Sequence, residues 1–508
     1  MERKTLKKIK RSHLLPALAI LAFYSLFMVV SACDSSTSPK TGTLTGRVEL
    51  VNDTGNPELD PVDFSGVKVS LYELAEVDSI VQNAKSVFGS GGFPVNQNSE
   101  FDHRMYNDVV HTISLSDGTF TLSKIPYGMY NLVIDKEGWG YRYVYDLEVN
   151  ESEISYINAR KRNDLLELYP EMVVSGAVDG IVEISSWHHL VTSGDVTFLP
   201  SSSLTIGANG FVRIEPGKKV DVMGQFEAGG SAENLFRITS DYSNHDYQAR
   251  SLRAVEYLSF NLGASTQTSD SGISWGVFGP AQVALAISNA DNLLLEKSKL
   301  ISNNDGFLVT VCDGVSVREC LFSGTSDLNN GLHLYMVDSG ILTGNIFVGS
   351  RAGTLLEEYC AQEIEDNVFI GNEYGIEMFN CDPNVRFNYF RINEYGIRLT
   401  GPISPIIEYN YIDSDTSIII GYNGYYPNAI PNIHNNNMIA ENHFLYLSKA
   451  NYIDIEAQNN YYYTSNIMDI EQKIYDKYDY PEDLQPQVSQ ILFKPIRTSK
   501  ISGAKPRI

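Results

Sequence analysis

One repeat constrains this chain more than any other feature. An asparagine followed by two apolar residues recurs at Asn345-Ile346-Phe347, Asn367-Val368-Phe369, Asn388-Tyr389-Phe390, Asn410-Tyr411-Ile412, Asn437-Met438-Ile439 and Asn460-Tyr461-Tyr462, in steps of 22, 21, 22, 27 and 23. Ser298 and Cys320, 22 apart, extend the row backwards. A second register of small residues runs through Gly306, Gly331, Gly353, Gly375, Gly396 and Ser417 at 25, 22, 22, 21 and 21. A shared period near 22 is too short for a helix pair, and it fits one coil of a parallel β-helix. Equivalent side chains then stack at strand spacing, so the asparagines form an amide ladder. Phe322, Phe347, Phe369 and Phe390, two residues beyond the ladder position, form an aromatic stack inside.

The N-terminus carries a basic cluster (Arg3, Lys4, Lys7, Lys8, Lys10, Arg11) and an uncharged apolar run from Leu14 to Val30, the pattern of a secretory signal. The run ends in Val30-Ser31-Ala32-Cys33, which resembles the lipobox of bacterial lipoproteins, with Cys33 the residue that receives lipid. A plain signal peptide or a single membrane span is the alternative. Several acyl chains anchor a protein without another membrane segment, each buried CH₂ adding about 0.8 kcal/mol. The expected location is therefore the cell envelope outside the cytoplasm, lipid-anchored to the outer membrane or cell surface. A net charge of −24 argues against nucleic acid, whose binding depends on clustered Lys and Arg. It would also repel acidic polysaccharides unless a basic patch or calcium intervened.

Between Thr41 and Asn158 short alternating segments (Thr43 to Leu50, Gly66 to Tyr72, His111 to Leu115, Thr119 to Leu122, Tyr130 to Ile134, Tyr143 to Val149) predict a β-sandwich. The run Ser116-Asp117-Gly118-Thr119-Phe120-Thr121-Leu122, then Ile125-Pro126-Tyr127-Gly128, sets two hairpin turns with Phe120, Leu122, Tyr130 and Leu132 inward. With Gly46-Arg47-Val48 and Gly66-Val67-Lys68-Val69 this resembles the carboxypeptidase-regulatory-like, transthyretin-like domain. That resemblance implies a spacer or adhesion module and carries no catalytic residue over. The Gly- and Asn-rich insertion between Ala75 and Val110 is expected to be a loop.

From Val196-Thr197-Phe198 through Arg213-Ile214-Glu215-Pro216-Gly217, Phe236-Arg237-Ile238 and Trp275-Gly276, the first coils resemble right-handed parallel β-helices of the pectate-lyase-like superfamily. The exit, Asn459 to Tyr463, then Ile470 to Asp476 as a short helix and Val488 to Pro495 as a last strand, resembles their closing cap. The chain is thus read as all-β: signal 1–33, tether 34–41, sandwich 42–158, right-handed parallel β-helix 165–496 and tail 497–508.

The resemblance implies polysaccharide lyases, hydrolases or epimerases, although fold alone does not fix activity. A hydrolase needs two carboxyls about 5 to 9.5 Å apart. Aligning coils on their glycine puts His333 and Tyr335, Leu355 and Glu357, Glu377 and Phe379, Arg398 and Thr400 on one outward face. His333, Glu357, Glu377 and Arg398 are the candidate catalytic residues, with Tyr335 and Phe379 as sugar-stacking faces. The competing reading is an ordinary solvated face with cross-strand pairs. A second outward row (Glu296, Arg318, Thr343, Glu365, Arg386, Glu408, Asn435, Gln458) reads as such pairs, with Arg386 between Glu365 and Glu408. Tyr422, Tyr425 and Tyr426 form a candidate binding loop. Asp413 and Asp415 are candidate calcium ligands, and no other cofactor is expected. Neither the Asp-Asp with Gly-His-Gly of polygalacturonases nor the Asp-Pro-His of alginate epimerases is present. Cys312, Cys320, Cys360 and Cys381 form no zinc pattern, and Cys360 with Cys381 is open between a disulfide and stacked thiols. The leading expectation is a non-catalytic lipoprotein whose solenoid binds polysaccharide or an envelope protein. A polysaccharide lyase or glycoside hydrolase, or a purely structural envelope protein, are the alternatives.

Overall fold

The computed structural model describes residues 40–55, 60–86, 92–150, 154–155, 166–241, 259–262, 267–289, 292–324, 328–421, 429–448, 452–485 and 488–507. Cys33 and the signal, and the loop of Tyr422, Tyr425 and Tyr426, lie outside them. No helix among the described residues is long and apolar enough to cross a membrane.

The N-terminal unit is a sandwich of two four-stranded sheets. Phe120, Leu122, Tyr130 and Leu132 point into its core, as the alternation requires. Leu166–Leu168 pairs with the first strand, Thr41–Leu50, so the sandwich takes residues that the repeat pattern alone assigns to the solenoid.

The insertion is not a loop. Ser79–Ser86 is a helix, Gln97–Glu100 a capped turn and His103–Met105 a 3-10 turn. They dock on the solenoid. Val81, Ala84 and Phe93 bury against Leu321, Ile346, Val348, Val368 and Ile370. Arg104, 4% exposed, donates to the Ser240 carbonyl and the Thr239 hydroxyl, and Lys299 pairs with Glu100. A ring cluster of Tyr141, Tyr143, His189 and Phe211 seals the junction. The sandwich is therefore cemented to the solenoid rather than hung from it as a spacer.

The solenoid contains one stack of 13 short parallel strands, from Ile181–Ile184 to Ile491–Leu492, and a second parallel sheet that bends around the interior. Phe322, Phe347, Phe369 and Phe390 stack at centroid spacings of 4.7, 4.8 and 4.8 Å, the coil pitch. They explain the glycine register: a Cβ on Gly353 would lie 2.7 Å from both the Gly375 carbonyl oxygen and the Phe369 ring. Gly396 keeps the register although Ile412 replaces the phenylalanine beside it, since a Cβ there would lie 2.5 Å from the Ser417 carbonyl oxygen and 2.7 Å from Ile412.

The amide ladder runs through Asn345, Asn367, Asn388, Asn410, Asn436 and Asn460. Asn436, not Asn437, is the ladder member, and Asn437 faces outward. The two adjacent asparagines made the sequence register slip by one. By the same slip His434, not Asn435, occupies the outward row beside Glu408, and the two pair at 2.9 Å. Arg386 pairs with Glu363 and Glu365. Cys320 holds a ladder position, donating its N–H to Asn345 Oδ1, and Ser298 accepts the Gly276 N–H with its hydroxyl. Asp366, Phe387, Tyr409, Asn435 and Asn459, each directly before a ladder position, have φ between 55° and 60°. That left-handed corner costs roughly 1–3 kcal/mol for a non-glycine residue and persists because the ladder on its flank fixes it. A second ladder, Ser350 to Asn372 to Asn393, was not anticipated.

The four cysteines Cys312, Cys320, Cys360 and Cys381 are buried free thiols. The exit helix is Ile467–Glu471, slightly earlier than expected, because Ile474–Tyr475 continues a sheet. Residues 497–507 are no free tail: they run back along the outside of the coils.

Candidate functional site

Register pairing carries the predicted face into space. His333, Leu355, Glu377 and Arg398 form one outward row and Tyr335, Glu357, Phe379 and Thr400 the next. The four candidate catalytic residues separate into two ion pairs. His333 Nε2 meets Glu357 Oε2 at 2.8 Å and its Nδ1 meets Asp305 Oδ1 at 3.3 Å. Arg398 Nη1 donates to Glu377 Oε1 at 2.6 Å, and Arg351 Nη1 lies 2.7 Å from Glu377 Oε2. Asn330 joins the halves, donating to Asp305 and accepting from Arg351.

Glu377 is 1% exposed and so enclosed by cations that it has no open approach. Arg398 lies over the rings of Tyr374 and Phe379, at 5.0 and 5.6 Å. Tyr335 and Phe379 have Glu357 between them in the row, so they stand two coils, about 9.6 Å, apart rather than as one platform.

Sequence reasoning missed Asp305, Asn330 and Arg351. The first two sit directly before a coil glycine, in a third outward row that continues through Ala352, Tyr374, Tyr395 and Thr416. The residue preceding each glycine was the available signal.

Burial by itself lowers the His333 pKa, but the hydrogen bonds that the ring donates to Asp305 and Glu357 outweigh it and raise the value to about 9. The bond to His333 in turn holds Glu357 low. A histidine at 6.5 when unfolded and about 9 when folded contributes stability in full below pH 6.5, and loses it as pH rises through about 9. The wild-type unfolding midpoint should therefore decline between those pH values, with a total effect on the order of 3 kcal/mol at most. His333→Gln should remove that slope. Parallel pH profiles in urea would refute the assignment.

Beside this network opens a groove of about 740 Å³, lined among others by Arg351, Glu373, Glu394, Tyr395, Asp415 and Asn442. Tyr395 stacks on Tyr374 at 5.1 Å, so a two-ring ledge borders it. Asp415 thus belongs to the groove. Asp413 lies beside Arg391, its carboxyl pushed up by burial. The two are not joined by a third ligand: among the described residues no three His, Cys, Asp or Glu converge to hold a metal.

A family model described as periplasmic copper-binding protein (NosD) matches residues 266–477. No curated protein matches the chain. Among solved structures, a point mutant of the periplasmic alginate epimerase AlgG is similar at 10% identity and TM-score 0.30, over 64% of this chain and 74% of its own. The family 28 exopolygalacturonase of Yersinia enterocolitica is similar at 9% identity and TM-score 0.27, over 77% and 88%.

Copper favours clustered imidazole, thiolate or thioether donors. The described histidines do not supply them. His333 and His434 are held by carboxylates, His189 meets Tyr141 and His103 bonds the Tyr143 hydroxyl. All four described cysteines are sealed inside. Among the described residues no cluster of three histidines, cysteines or carboxylates forms that could hold the metal.

Proposed function

We propose that this protein is an extracytoplasmic lipoprotein, lipidated at Cys33, whose solenoid binds a polysaccharide of low negative charge in the groove beside Tyr395 without cleaving it. The observation that carries this reading is the state of the candidate face: each candidate acid or base is already committed to an ion pair within the scaffold. A carboxyl bound to two arginines and 1% exposed is closed to a substrate, whereas a catalytic acid or base must come within hydrogen-bond reach of the proton it moves.

The groove has the complementary properties. It offers carboxylates, an amide and an exposed tyrosine edge, a mixture suited to hydroxyl-rich rings. Glu373, Glu394 and Asp415 stand on successive coils, so uronate polymers would meet like charge at every step. The family description, with its word periplasmic, and the signal-like N-terminus both support a location outside the cytoplasm.

The test applies the soluble form lacking residues 1–33 to neutral glucans, mannans and xylans beside alginate and polygalacturonate, by affinity electrophoresis and by assay of new reducing or unsaturated ends. Retention by a neutral polymer without new ends is expected. Tyr395→Ala should weaken it about tenfold, the worth of one aromatic contact. Release of ends, or preference for the uronates, would overturn the reading.

A further inference from the structure

We propose that the solenoid carries a second recognition surface, a docking ridge for an extended cationic peptide, and that the chain's own residues 497–507 occupy it as a separable strap. The ridge is remote in character from the groove: it is built on the corner beside the amide ladder.

An outward row one residue beyond the ladder reads Leu321, Ile346, Val368, Tyr389, Tyr411, Asn437 and Tyr461. The insertion of the sandwich covers its first three members. The C-terminal segment meets Tyr411 and Asn437 of the row, running against the direction of the coils: the Arg497 N–H reaches the Asn460 carbonyl, Ile501 lies at Asn437, and Arg507 ends at Asp366. That is four coils, about 19 Å.

The contacts are those of a ligand in a site. The Asn437 amide behaves as a peptide group, accepting from the Ile501 N–H at 2.9 Å and donating to its carbonyl at 2.8 Å. Lys500 stands over the Tyr411 and Tyr463 rings at 5.3 and 5.7 Å. Ala504 is 1% exposed, and Pro506 is buried. Arg507 lies 4.1 Å from the Phe387 centroid while its guanidinium bonds Asp366 and Glu365. The segment adds no strand to either sheet. Residues 497–508 carry four cations and no acid in a chain of net charge −24, which makes the pairing electrostatically complementary. The ridge therefore selects a lysine, a small residue four positions later, and Pro-Arg after that.

The experiment uses the full mature chain with a specific protease site inserted between Ile496 and Arg497. After cleavage the strap should co-elute with the solenoid on gel filtration at low salt, and leave at about 1 M salt, where the Debye length falls to about 3 Å. The emptied protein should keep its cooperative melt and bind a fluorescent peptide of residues 497–508 on return to low salt. The same peptide with Arg507→Ala, or the chain with Asp366→Ala, should bind at least tenfold more weakly. Collapse of the melt on strap loss would make the segment an integral part of the fold and overturn the proposal. So would failure of the peptide to bind, or equal binding of the Arg507→Ala peptide.

Discussion

Replacing Glu377 by alanine is expected to lower the unfolding free energy by about 3–5 kcal/mol, the cost of breaking a buried ion pair by removing one member. Glu377 is 1% exposed, and the Arg398 side chain that donates to it is 9% exposed. Arg398 would keep its place between the Tyr374 and Phe379 rings but lose the charge that made its burial tolerable. Arg351, at 25% exposure, can turn to water and should contribute little to the loss. Glu377→Gln should fall between the wild type and alanine, since it keeps the volume and one acceptor. The pair Glu377→Leu with Arg398→Leu should recover most of the loss, because a buried ion pair exchanged for apolar residues of similar volume is often neutral. Urea unfolding of the four proteins decides the matter. A Glu377→Gln protein that unfolds like the wild type would return this residue to the list of catalytic candidates.

The same residue shows what the sequence could and could not disclose. Alternation along a strand and a 21- or 22-residue step suffice to put Glu377 beside Arg398, and the structure keeps that register. Neither rule says how deep an outward side chain lies. Depth comes from Arg351 and Tyr374, which reach over from other rows, and a period counts rows without revealing what crosses between them. The row from Leu321 to Tyr411 teaches the converse. These strands are apolar on both faces, with Phe347 inside and Ile346 outside, a pattern that belongs to a sheet covered on both sides. That pattern implies a cover over the outer face. Which segments supply it is not legible, because the insertion's helix has only Val81 and Ala84 buried and the strap has no periodicity. The one-residue slip at Asn436 and Asn437 has a similar cause: two identical side chains compete for one position, and only the donor geometry of the ladder separates them.

Asn388→Ala should cost about as much again, roughly 3–5 kcal/mol, as several buried groups lose partners at about 1–3 kcal/mol each and do not add fully. Asn388 is fully buried. Its Oδ1 accepts from the Asn367 N–H at 2.9 Å and from Asn367 Nδ2 at 3.0 Å. Its Nδ2 faces the Ile364 and Arg386 carbonyls and Asn410 Oδ1, at 2.8, 3.0 and 3.0 Å. An aspartate would preserve the acceptor but set a carboxylate against three further acceptors, so Asn388→Asp should be at least as damaging as alanine. A serine keeps a smaller version of both functions, as Ser298 does by accepting the Gly276 N–H and donating to the Glu296 carbonyl, so Asn388→Ser should cost least. The order follows from hydrogen-bond polarity, not from volume, since aspartate is nearly isosteric with asparagine. In a solenoid each coil meets only its neighbours. The loss should therefore appear as faster hydrogen exchange in the coils that contain Asn367, Asn388 and Asn410, while the first coils, from Ile181 to Ile238, keep their protection. An aspartate variant more stable than the serine one would show that the column is held by packing, with its amides incidental.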